Sequence, residues 1–319
     1  MSLGRCLILG GSGFIGSHLA ELLVAEDFEV RILSRSAGSS SRLVAVAARV
    51  ELLEGDFRDT QRLANAIKGC DYVYHLIATT VPAISNRDVV SDTETNLIPT
   101  LRLLEICARE NVRRIVFCSS GGTVYGRTEN RPIAEIHSTE PLSSYGIVKL
   151  TIEKYLELFR FQHGLDYNVL RVSNCYGPRL PIGGEQGVVG AFLERLRRRE
   201  PIVLWGDGSV TRDYVYVSDV ARAFRVALKE EASFRVFNIG TGVGTSLLAL
   251  IKMMERVTGC HAQICKEKAR QIDVGVNILD STRAQQYLGW EATTALEEGL
   301  LNTWNWIQTR PRTISAGTP

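Results

Sequence analysis

The side chains of Tyr145 and Lys149 have the types and the spacing that proton transfer requires. They lie four residues apart in the predicted helical segment SSYGIVKLTIEKYLELF, so they share one face of the helix, one turn apart. A phenol, with a pKa of about 10, is a poor base at neutral pH, and a neighbouring ammonium group favours its phenolate form. Many helices carry such a pair, but here a serine-rich strand end precedes it and a glycine-rich turn opens the chain. The combination predicts an acid–base pair.

The glycine-rich turn follows the first predicted strand, residues 5–10, and leads into a helix predicted over 16–26. It reads Gly10-Gly11-Ser12-Gly13-Phe14-Ile15-Gly16 and satisfies both GxGxxG and GxxGxxG. Glycines permit a tight turn and let the backbone approach a pyrophosphate, whose charge the helix N-terminus stabilises. The motif alone is weak, but its strand–turn–helix context strengthens it. We therefore predict a dinucleotide-binding turn.

The second predicted strand, residues 28–34, ends in Ser34 and Arg35, where a dinucleotide-binding fold usually has an acidic residue. Ser34 can hydrogen-bond a ribose hydroxyl but offers no carboxylate. Arg35 could bind a 2′-phosphate, or it could be an exposed arginine after a strand. The sequence thus predicts a bound dinucleotide, NAD or NADP, with NADP at least tolerated.

Short apolar runs alternate with helical patterns through the first half of the chain. Beyond the two strands above, further strands are predicted at residues 49–55, 72–78, 113–120 and 167–173. Continuous apolar runs are typical of strands that are buried on both faces of a parallel sheet. The expected fold class is α/β, a Rossmann-type doubly wound parallel sheet with a smaller, mostly helical C-terminal substrate domain.

The pattern changes after about residue 174. Residues 174–187 are rich in Gly and Pro and predict a loop. Residues 237–242 predict one more strand of the sheet that ends in a turn. Between them we predict a helix over 188–199 and a short strand over 202–205. The expected organisation is a dinucleotide-binding domain of residues 1–173 and about 213–241, a substrate domain of about 174–212 and 242–310, and a tail of 311–319.

Composition excludes several classes of function. The formal net charge of +2 over 319 residues is too small to suggest a nucleic-acid or membrane partner. Seven cysteines without a CxxC pair argue against a disulfide framework and fit a reducing compartment. Histidine is scarce, with no HExxH or Cys/His cluster, so no metal site is predicted. Because no apolar run matches a membrane span or signal peptide, we expect a cytoplasmic protein.

Several motifs together resemble the extended short-chain dehydrogenases/reductases. They are the turn of Gly10, Gly13 and Gly16, the segment FCSSGGTVYG at 117–126, and the Tyr145/Lys149 pair. Later landmarks are GDGSVTRDYVYVSDVARA (206–223), FNIGTGVGTSL (237–247) and LDSTRAQQYLGW (279–290). Within that family the chain resembles the UDP-glucose 4-epimerase branch of the epimerases and dehydratases, up to about residue 308. The resemblance implies a UDP-linked nucleotide sugar as substrate and a homodimer.

The resemblance also implies catalytic roles. Tyr145 would be the acid/base, Lys149 would tune it and bind the nicotinamide ribose, and Ser120 would hydrogen-bond the reacting sugar oxygen. Thr123 competes with Ser120, because Gly121 and Gly122 stand where the SSSATVYG form of the epimerases has a serine and an alanine. Both hydroxyl residues are therefore candidates.

Other residues are implied to contact the cofactor. Asp56 and Phe57 would flank the adenine, three apolar residues after the fourth strand would line the cofactor, and Asn96 would steady the neighbouring loop. Alternatively, Asp56 caps a turn and the apolar residues belong to the core. The complete set of cofactor-binding candidates is Gly10, Gly13, Phe14, Ile15, Gly16, Ser34, Arg35, Asp56, Phe57, Leu76, Ile77, Ala78, Asn96, Tyr145, Lys149 and Ser173.

Besides Ser120 and Tyr145, residues of the second half are implied to bind the nucleotide sugar. Asn174 follows the sixth strand, where the family contacts the substrate. Arg212 and Arg270 match arginines that bind the diphosphate, a task that suits the bidentate guanidinium group. Asp273 matches a carboxylate that contacts a ribose. Asn277 is a small residue where some relatives carry a bulky tyrosine, so we expect the pocket to tolerate an N-acetyl group at C2.

The resemblance favours a 4-epimerase, of the UDP-glucose/UDP-galactose or N-acetylhexosamine type, that oxidises the sugar transiently to a 4-keto intermediate. The alternative is an NAD(P)H-dependent reductase of a 4-keto nucleotide sugar, which Ser34 and Arg35 would suit. A 4,6-dehydratase is disfavoured, because Gly121 and Gly122 stand where that group carries an Asp-Glu pair. A non-catalytic dinucleotide-binding sensor is disfavoured by the intact acid–base pair.

Overall fold

The structure, a computed structural model, describes residues 3–36, 38, 40–128, 131–182, 187–229, 233–268 and 274–310. Its strands are β1 (Arg5–Leu9), β2 (Glu29–Ser34), β3 (Val50–Glu54), β4 (Tyr72–His75), β5 (Arg114–Ser120), β6 (Asp166–Val172), β7 (Asn174–Tyr176), β8 (Ile202–Trp205), β9 (Thr211–Tyr216), β10 (Val236–Ile239), β11 (Gly244–Ser246), β12 (Ile264–Glu267) and β13 (Val276–Asn277). Its helices are α1 (Phe14–Ala25), α2 (Thr60–Ile67), α3 (Pro82–Ser85), α4 (Val89–Asp92), α5 (Ile98–Arg109), α6 (Ser144–His163), α7 (Val188–Arg198), α8 (Val217–Val226), α9 (Leu247–Thr258) and α10 (Leu296–Gln308).

In this part of the chain, seven strands form one parallel sheet in the order β10-β6-β5-β4-β1-β2-β3. Alternate residues of β1 enter different cores. Ile8 packs in a cluster with side chains of α1 and α8, whereas Leu7 packs in a cluster with side chains of α2, α5 and α6. Helices therefore cover both faces of the sheet, which explains the continuously apolar strands. The predicted Rossmann-type doubly wound α/β fold is confirmed.

The remaining strands form smaller sheets. One has the order β11-β9-β13, with β7 pairing with β9, and the other pairs β12 with β8. A third core, which includes Leu193, Leu250 and Trp304, packs α7, α9 and α10 against these strands. The boundaries of the two predicted domains stay a prediction.

Two predicted elements differ from the structure. Residues 174–187 do not begin as a loop, because β7 pairs in parallel with β9 and gains hydrogen bonds from residues about 40 positions away. The strand predicted over 72–78 ends at His75, where its pairing with β1 and β5 also ends. Among the described helices, none combines the length and the apolar character needed to cross a membrane.

The carboxyl ends of the parallel strands bring distant segments to one edge of the sheet. The glycine turn follows β1, residues 121–126 follow β5, and β7 follows β6. Helix α6 starts at the same edge, where the Ser143 hydroxyl accepts a hydrogen bond from the Gly146 N–H at 3.2 Å. The helix ends at Gly164, whose φ of 68° makes the left-handed cap that glycine favours.

Candidate active site

The turn after β1 is closed by its glycines. Gly10 has a φ of +85°, and its carbonyl accepts the Gly13 N–H at 2.9 Å. A Cβ atom on Gly16 would lie 2.3 Å from that carbonyl oxygen, so the turn leaves no room for a side chain there. Helix α1 begins at Phe14, immediately after the turn. Its first N–H groups and its dipole are therefore available to an anion at this position.

The end of β2 carries polar groups beside this turn. The hydroxyls of Ser34 and Ser12 form a short hydrogen bond, and Arg35 is exposed. Asp56 binds Arg58, with 2.6 Å between Oδ2 and Nη2. Hydrogen bonds from Arg58 hold the pKa of Asp56 below its usual value, and the charge of Arg35 acts in the same direction. The residues that follow β2 and β3 therefore place two cations, Arg35 and Arg58, and one carboxylate, Asp56, beside the glycine turn.

The other cofactor candidates divide between core and site. Phe57 is buried in the core cluster of Leu7. Leu76 and Ile77 each pack against a core, whereas Ala78 is exposed. Asn96 contacts the loop after β4, because its Oδ1 accepts the Thr79 N–H at 2.8 Å.

Tyr145 and Lys149 share the buried face of the first turns of α6. The Lys149 ammonium lies 5.5 Å from the centre of the Tyr145 ring and donates to the Cys118 carbonyl at 2.8 Å. Burial lowers the pKa of Lys149, although the charges of Cys118, Glu153 and Asp92 oppose that effect. Burial raises the pKa of Tyr145 well above its ordinary value. Burial thus favours the protonated form of the Tyr145 phenol.

The loop after β5 places two hydroxyl groups near this pair. A Cβ on Gly122 would lie 3.9 Å from Ser120 Oγ and 3.7 Å from Asn174 Oδ1, so these two polar groups flank Gly122. The Thr123 hydroxyl is buried and has no hydrogen-bond partner among the described residues. A Cβ on Gly121 would lie 2.4 Å from Leu279, so this position cannot carry the larger side chain found in dehydratases without a shift of its neighbour.

A cavity of about 760 Å³ joins these groups. Its wall includes Phe14, Ile15, Ser120, Thr123, Tyr145, Ser173, Asn174 and Arg212. Among the described residues that form the wall, Arg87 and Arg212 carry positive charge and no aspartate or glutamate takes part. Such a cavity has the size of a small-molecule site and suits an anionic ligand. The sequence did not predict Arg87 as a site residue, because a lone arginine in a polar loop belongs to no motif.

The substrate-side candidates have different positions. Arg212 lies in the cavity wall, where its Nη1 donates to the Val274 carbonyl at 2.7 Å. Asn277 is 2% exposed and donates from Nδ2 to the Gly121 carbonyl at 3.1 Å. It does not belong to the described wall of the cavity, and the tolerance of an N-acetyl group at C2 stays a prediction. Arg270 and Asp273 lie outside the described residues.

Comparison with known proteins agrees with this geometry. The family described as "NAD dependent epimerase/dehydratase family" matches residues 6–240. The UDP-glucose 4-epimerase of Mycolicibacterium smegmatis is 35% identical, over 94% of this chain and 97% of the relative. A dTDP-4-dehydro-6-deoxyglucose reductase of Escherichia coli is 31% identical, over 92% of this chain and 94% of the relative.

Solved structures of full-length relatives have the same fold. The UDP-glucose 4-epimerase of Thermotoga maritima with UDP-glucose is 38% identical, with a TM-score of 0.90 over 95% of this chain and 98% of that one. The UDP-glucose 4-epimerase of Thermus thermophilus in complex with NAD is 32% identical, with a TM-score of 0.88 over 96% of this chain and 99% of that one. Since the family match covers most of the chain and the relatives align over nearly all of it, the chain belongs to the NAD dependent epimerase/dehydratase family.

Proposed function

We propose that this chain is a UDP-sugar 4-epimerase that oxidises its substrate transiently at C4 with a bound nicotinamide dinucleotide. The observation that carries the proposal is a single cavity whose wall contains the turn residue Phe14, the Tyr145 phenol and the Arg212 guanidinium. A dinucleotide, a reacting sugar and a diphosphate could therefore share one space. Related epimerases that were solved with UDP-glucose and with NAD support the assignment.

The residues around the glycine turn fit a dinucleotide. The close approach of Gly16 to the Gly10 carbonyl makes a cradle without side chains at the helix N-terminus. The Ser173 hydroxyl, in the cavity wall, is buried without a hydrogen-bond partner among the described residues, as expected for a group that meets a ligand. Bound there, a nicotinamide cofactor supplies the acceptor and donor of a hydride.

In this proposal the residues of the chain handle the proton. Tyr145 takes the proton of the sugar C4 hydroxyl and later returns it. Because burial raises the pKa of this phenol, the base form needs positive charge nearby. Lys149 supplies that charge, and its hydrogen bond to the Cys118 carbonyl holds it in place. Since the sugar is oxidised and then reduced, an epimerase consumes no reduced cofactor.

The second candidate function is reduction of a 4-keto nucleotide sugar. The absence of a carboxylate at Ser34 and the exposed Arg35 favour it, because a biosynthetic reductase commonly uses NADPH. The relative from Escherichia coli that is named a reductase supports it as well. It differs from epimerisation in requiring stoichiometric reduced cofactor and a keto substrate.

The test is incubation of the purified protein with UDP-, GDP- and dTDP-linked sugars, followed by NMR analysis of the products with and without NADH or NADPH. We expect UDP-hexoses to give their C4 epimers without added reductant. Conversion that needs a 4-keto sugar and stoichiometric NADPH would establish the reductase instead. Cofactor binding without conversion of any sugar would contradict both and favour a non-catalytic sensor.

We also propose a cytoplasmic homodimer that forms through α5 and α6. These neighbouring helices expose large apolar side chains, among them Ile98, Ile147, Leu158 and the 86% exposed Phe161. Ile147, Leu158 and Phe161 fall within one face of α6 at helical spacing. Light scattering coupled to size exclusion should give the mass of two chains for the wild type and of one chain for Phe161→Glu.

A further inference from the structure

A buried ion pair lies behind the candidate catalytic residues. Arg171 of β6 donates from Nη2 to Glu153 of α6 at 2.6 Å, and its Nε lies 3.1 and 3.2 Å from the two carboxylate oxygens. The two side chains are only 6% and 4% exposed. Burying two charges costs so much solvation that apolar residues of the same volume are often at least as stable. A pair in this place therefore suggests a role other than stability.

The pair is hydrogen-bonded to the strand that carries Ser120. The Ser119 hydroxyl, next to Ser120 on β5, donates to Glu153 Oε1 at 2.5 Å. Arg171 is the residue that pairs in register with Ser119 across β5 and β6. The Glu153 carboxylate thus connects the carboxyl ends of β5 and β6, beside the loop of residues 121–126.

The Glu153–Arg171 pair is also hydrogen-bonded to the loop of residues 121–126, through Tyr125. Arg171 Nη1 donates to the Tyr125 hydroxyl at 2.9 Å, and Tyr125 donates to Asn238 Oδ1 on β10 at 2.7 Å. Burial raises the pKa of Tyr125 to about 12, so the phenol remains a donor at neutral pH. Burial lowers the pKa of Arg171, but the hydrogen bond and charge of Glu153 outweigh this and raise it overall.

Glu153 also lies near the catalytic lysine. It follows Lys149 by four residues on the buried face of α6, and its negative charge favours the ammonium form against the desolvation that lowers the pKa of Lys149. The neighbouring helices and strands contribute other titratable groups that face Lys149, namely His75 on β4, Asp92 on α4, Cys118 on β5 and Tyr145 on α6. Of the carboxylates in this set, Glu153 alone also contacts the strand that carries Ser120.

We propose that Glu153 is a positioning residue, which fixes the Ser120 end of β5 through Ser119 and Arg171 and supplies Lys149 with a nearby negative charge. The proposal rests on the proposed function for its kinetic consequence, but its electrostatic consequence is independent of turnover. The informative change is Glu153→Gln, which keeps an acceptor for Ser119 and removes the charge.

Two further variants separate this role from a general loss of stability. Glu153→Gln/Arg171→Met leaves no unpaired buried charge, so its unfolding midpoint should return towards the wild-type value. Asp166→Asn disrupts the matched ion pair to Arg114, which joins the same two strands at the end remote from the cavity. It should lower stability without a change in the pH profile of turnover.

The first measurement is the pKa of Lys149 in the full-length protein, by NMR of lysine labelled with ¹³C at Cε and assigned with Lys149→Met. In Glu153→Gln the pKa of Lys149 should fall below the wild-type value, and it should fall less in the double variant, which also removes the positive charge of Arg171. The pKa should be unchanged in Asp166→Asn. An unchanged pKa in Glu153→Gln would overturn the electrostatic part of the proposal, whether or not any sugar is converted.

The second measurement is the pH dependence of kcat and KM. We expect kcat to fall about tenfold in both Glu153 variants with little change in KM, and the alkaline limb to move to lower pH as the pKa of Lys149 falls. If kcat recovers together with stability in the double variant, Glu153 is merely structural and the proposal fails. If no sugar is converted even by the wild type, the proposed function fails while the NMR result still decides the role of Glu153.

Discussion

At the scale of single residues, burial decides which protonation state each candidate group holds. The phenol of Tyr145 and the ammonium of Lys149 both lose hydration, so burial disfavours the charged form of each. Phenolate and ammonium can stabilise each other only when they are close, which is the reason for the spacing of four residues. In the proposed function, proton transfer therefore depends on the pair rather than on either group.

Tyr145→Phe tests the acid–base role directly. The variant lacks the hydroxyl but fills the same volume, so we expect retained folding and dinucleotide binding and a loss of turnover of about 10²- to 10⁴-fold. Circular dichroism, a fluorescence titration with the cofactor and the rate of sugar conversion together check this. Near-normal conversion by the folded variant would contradict the assignment.

Ser120 and Thr123 can be separated by a pair of substitutions. Both lie in the cavity wall, but the Thr123 Oγ1 atom is inaccessible to solvent. We therefore expect Ser120→Ala to lower kcat about 10²-fold and Thr123→Val to lower it much less. Steady-state kinetics of the two variants decide between them, and a larger loss in Thr123→Val would reverse the choice.

The cofactor preference depends on the residues after β2. Ser34 lacks the negative charge that repels a 2′-phosphate, and the exposed Arg35 can attract one. We expect NADP to bind at least as tightly as NAD, Arg35→Ala to weaken NADP about tenfold, and Ser34→Asp to favour NAD. Titration of the apo-protein and identification of the nucleotide released on denaturation check this. Release of NAD alone, together with a tenfold preference for NAD, would show that Arg35 is not a phosphate ligand.

At the scale of elements, the site depends on where strands end and helices begin. The glycine turn joins β1 to α1 with almost no spare volume, because the Gly10 carbonyl occupies the space where a side chain of residue 16 would lie. The atoms that a Cβ of residue 16 would meet all belong to the backbone of Gly10 and Gly11, so a larger residue must displace the turn itself. The geometry of the dinucleotide cradle is thus set by packing between the strand and the helix.

Gly16→Ala tests this packing. The added methyl group would lie 2.3 Å from the Gly10 carbonyl oxygen, so we expect destabilisation of about 1–3 kcal/mol and weaker dinucleotide binding. Gly275→Ala is the control, because a Cβ at that position meets nothing within 4 Å. Urea unfolding and cofactor titration measure both effects. Equal behaviour of the two variants would show that the turn can relax.

At the scale of the whole molecule, the sheet core contains a histidine that folding keeps neutral. His75 is 2% exposed and contacts the Thr100 hydroxyl through Nε2 at 2.9 Å. Burial, with a contribution from the charge of Lys149, lowers the pKa of His75 to about 3. Because its pKa in the unfolded chain is about 6.5, the unfolded state binds the extra proton first as the pH falls.

The stability of the protein should therefore decrease as the pH falls below about 6.5, by up to about 1.4 kcal/mol per unit from this residue. The free energy of unfolding of His75→Gln should decrease less steeply than that of the wild type as the pH falls from about 6.5 to the lowered pKa of His75. His163→Gln, which changes an exposed histidine, should retain the wild-type slope. Urea unfolding at a series of pH values provides the comparison, and equal slopes for all three proteins would contradict a neutral buried His75.

Features that depend on neighbours along the chain were predictable from the sequence. The glycine turn, the spacing of Tyr145 and Lys149 and the buried strands are local patterns, because turn geometry and helical or strand periodicity act over a few residues. These patterns were sufficient to predict the parallel α/β fold. The dinucleotide-binding role of the glycine turn and the acid–base role of Tyr145 and Lys149 stay predictions.

Features that depend on contacts between distant segments were not predictable from the sequence. Asn277 is placed by its hydrogen bond to Gly121, 156 residues away, and so lies outside the cavity wall formed by the described residues. The pairing of β7 with β9 and the ion pair between Glu153 and Arg171 likewise join segments that no local periodicity relates. The energy of a buried charge or hydrogen bond depends on its partner and its solvent exposure, and both exist only after the chain has folded.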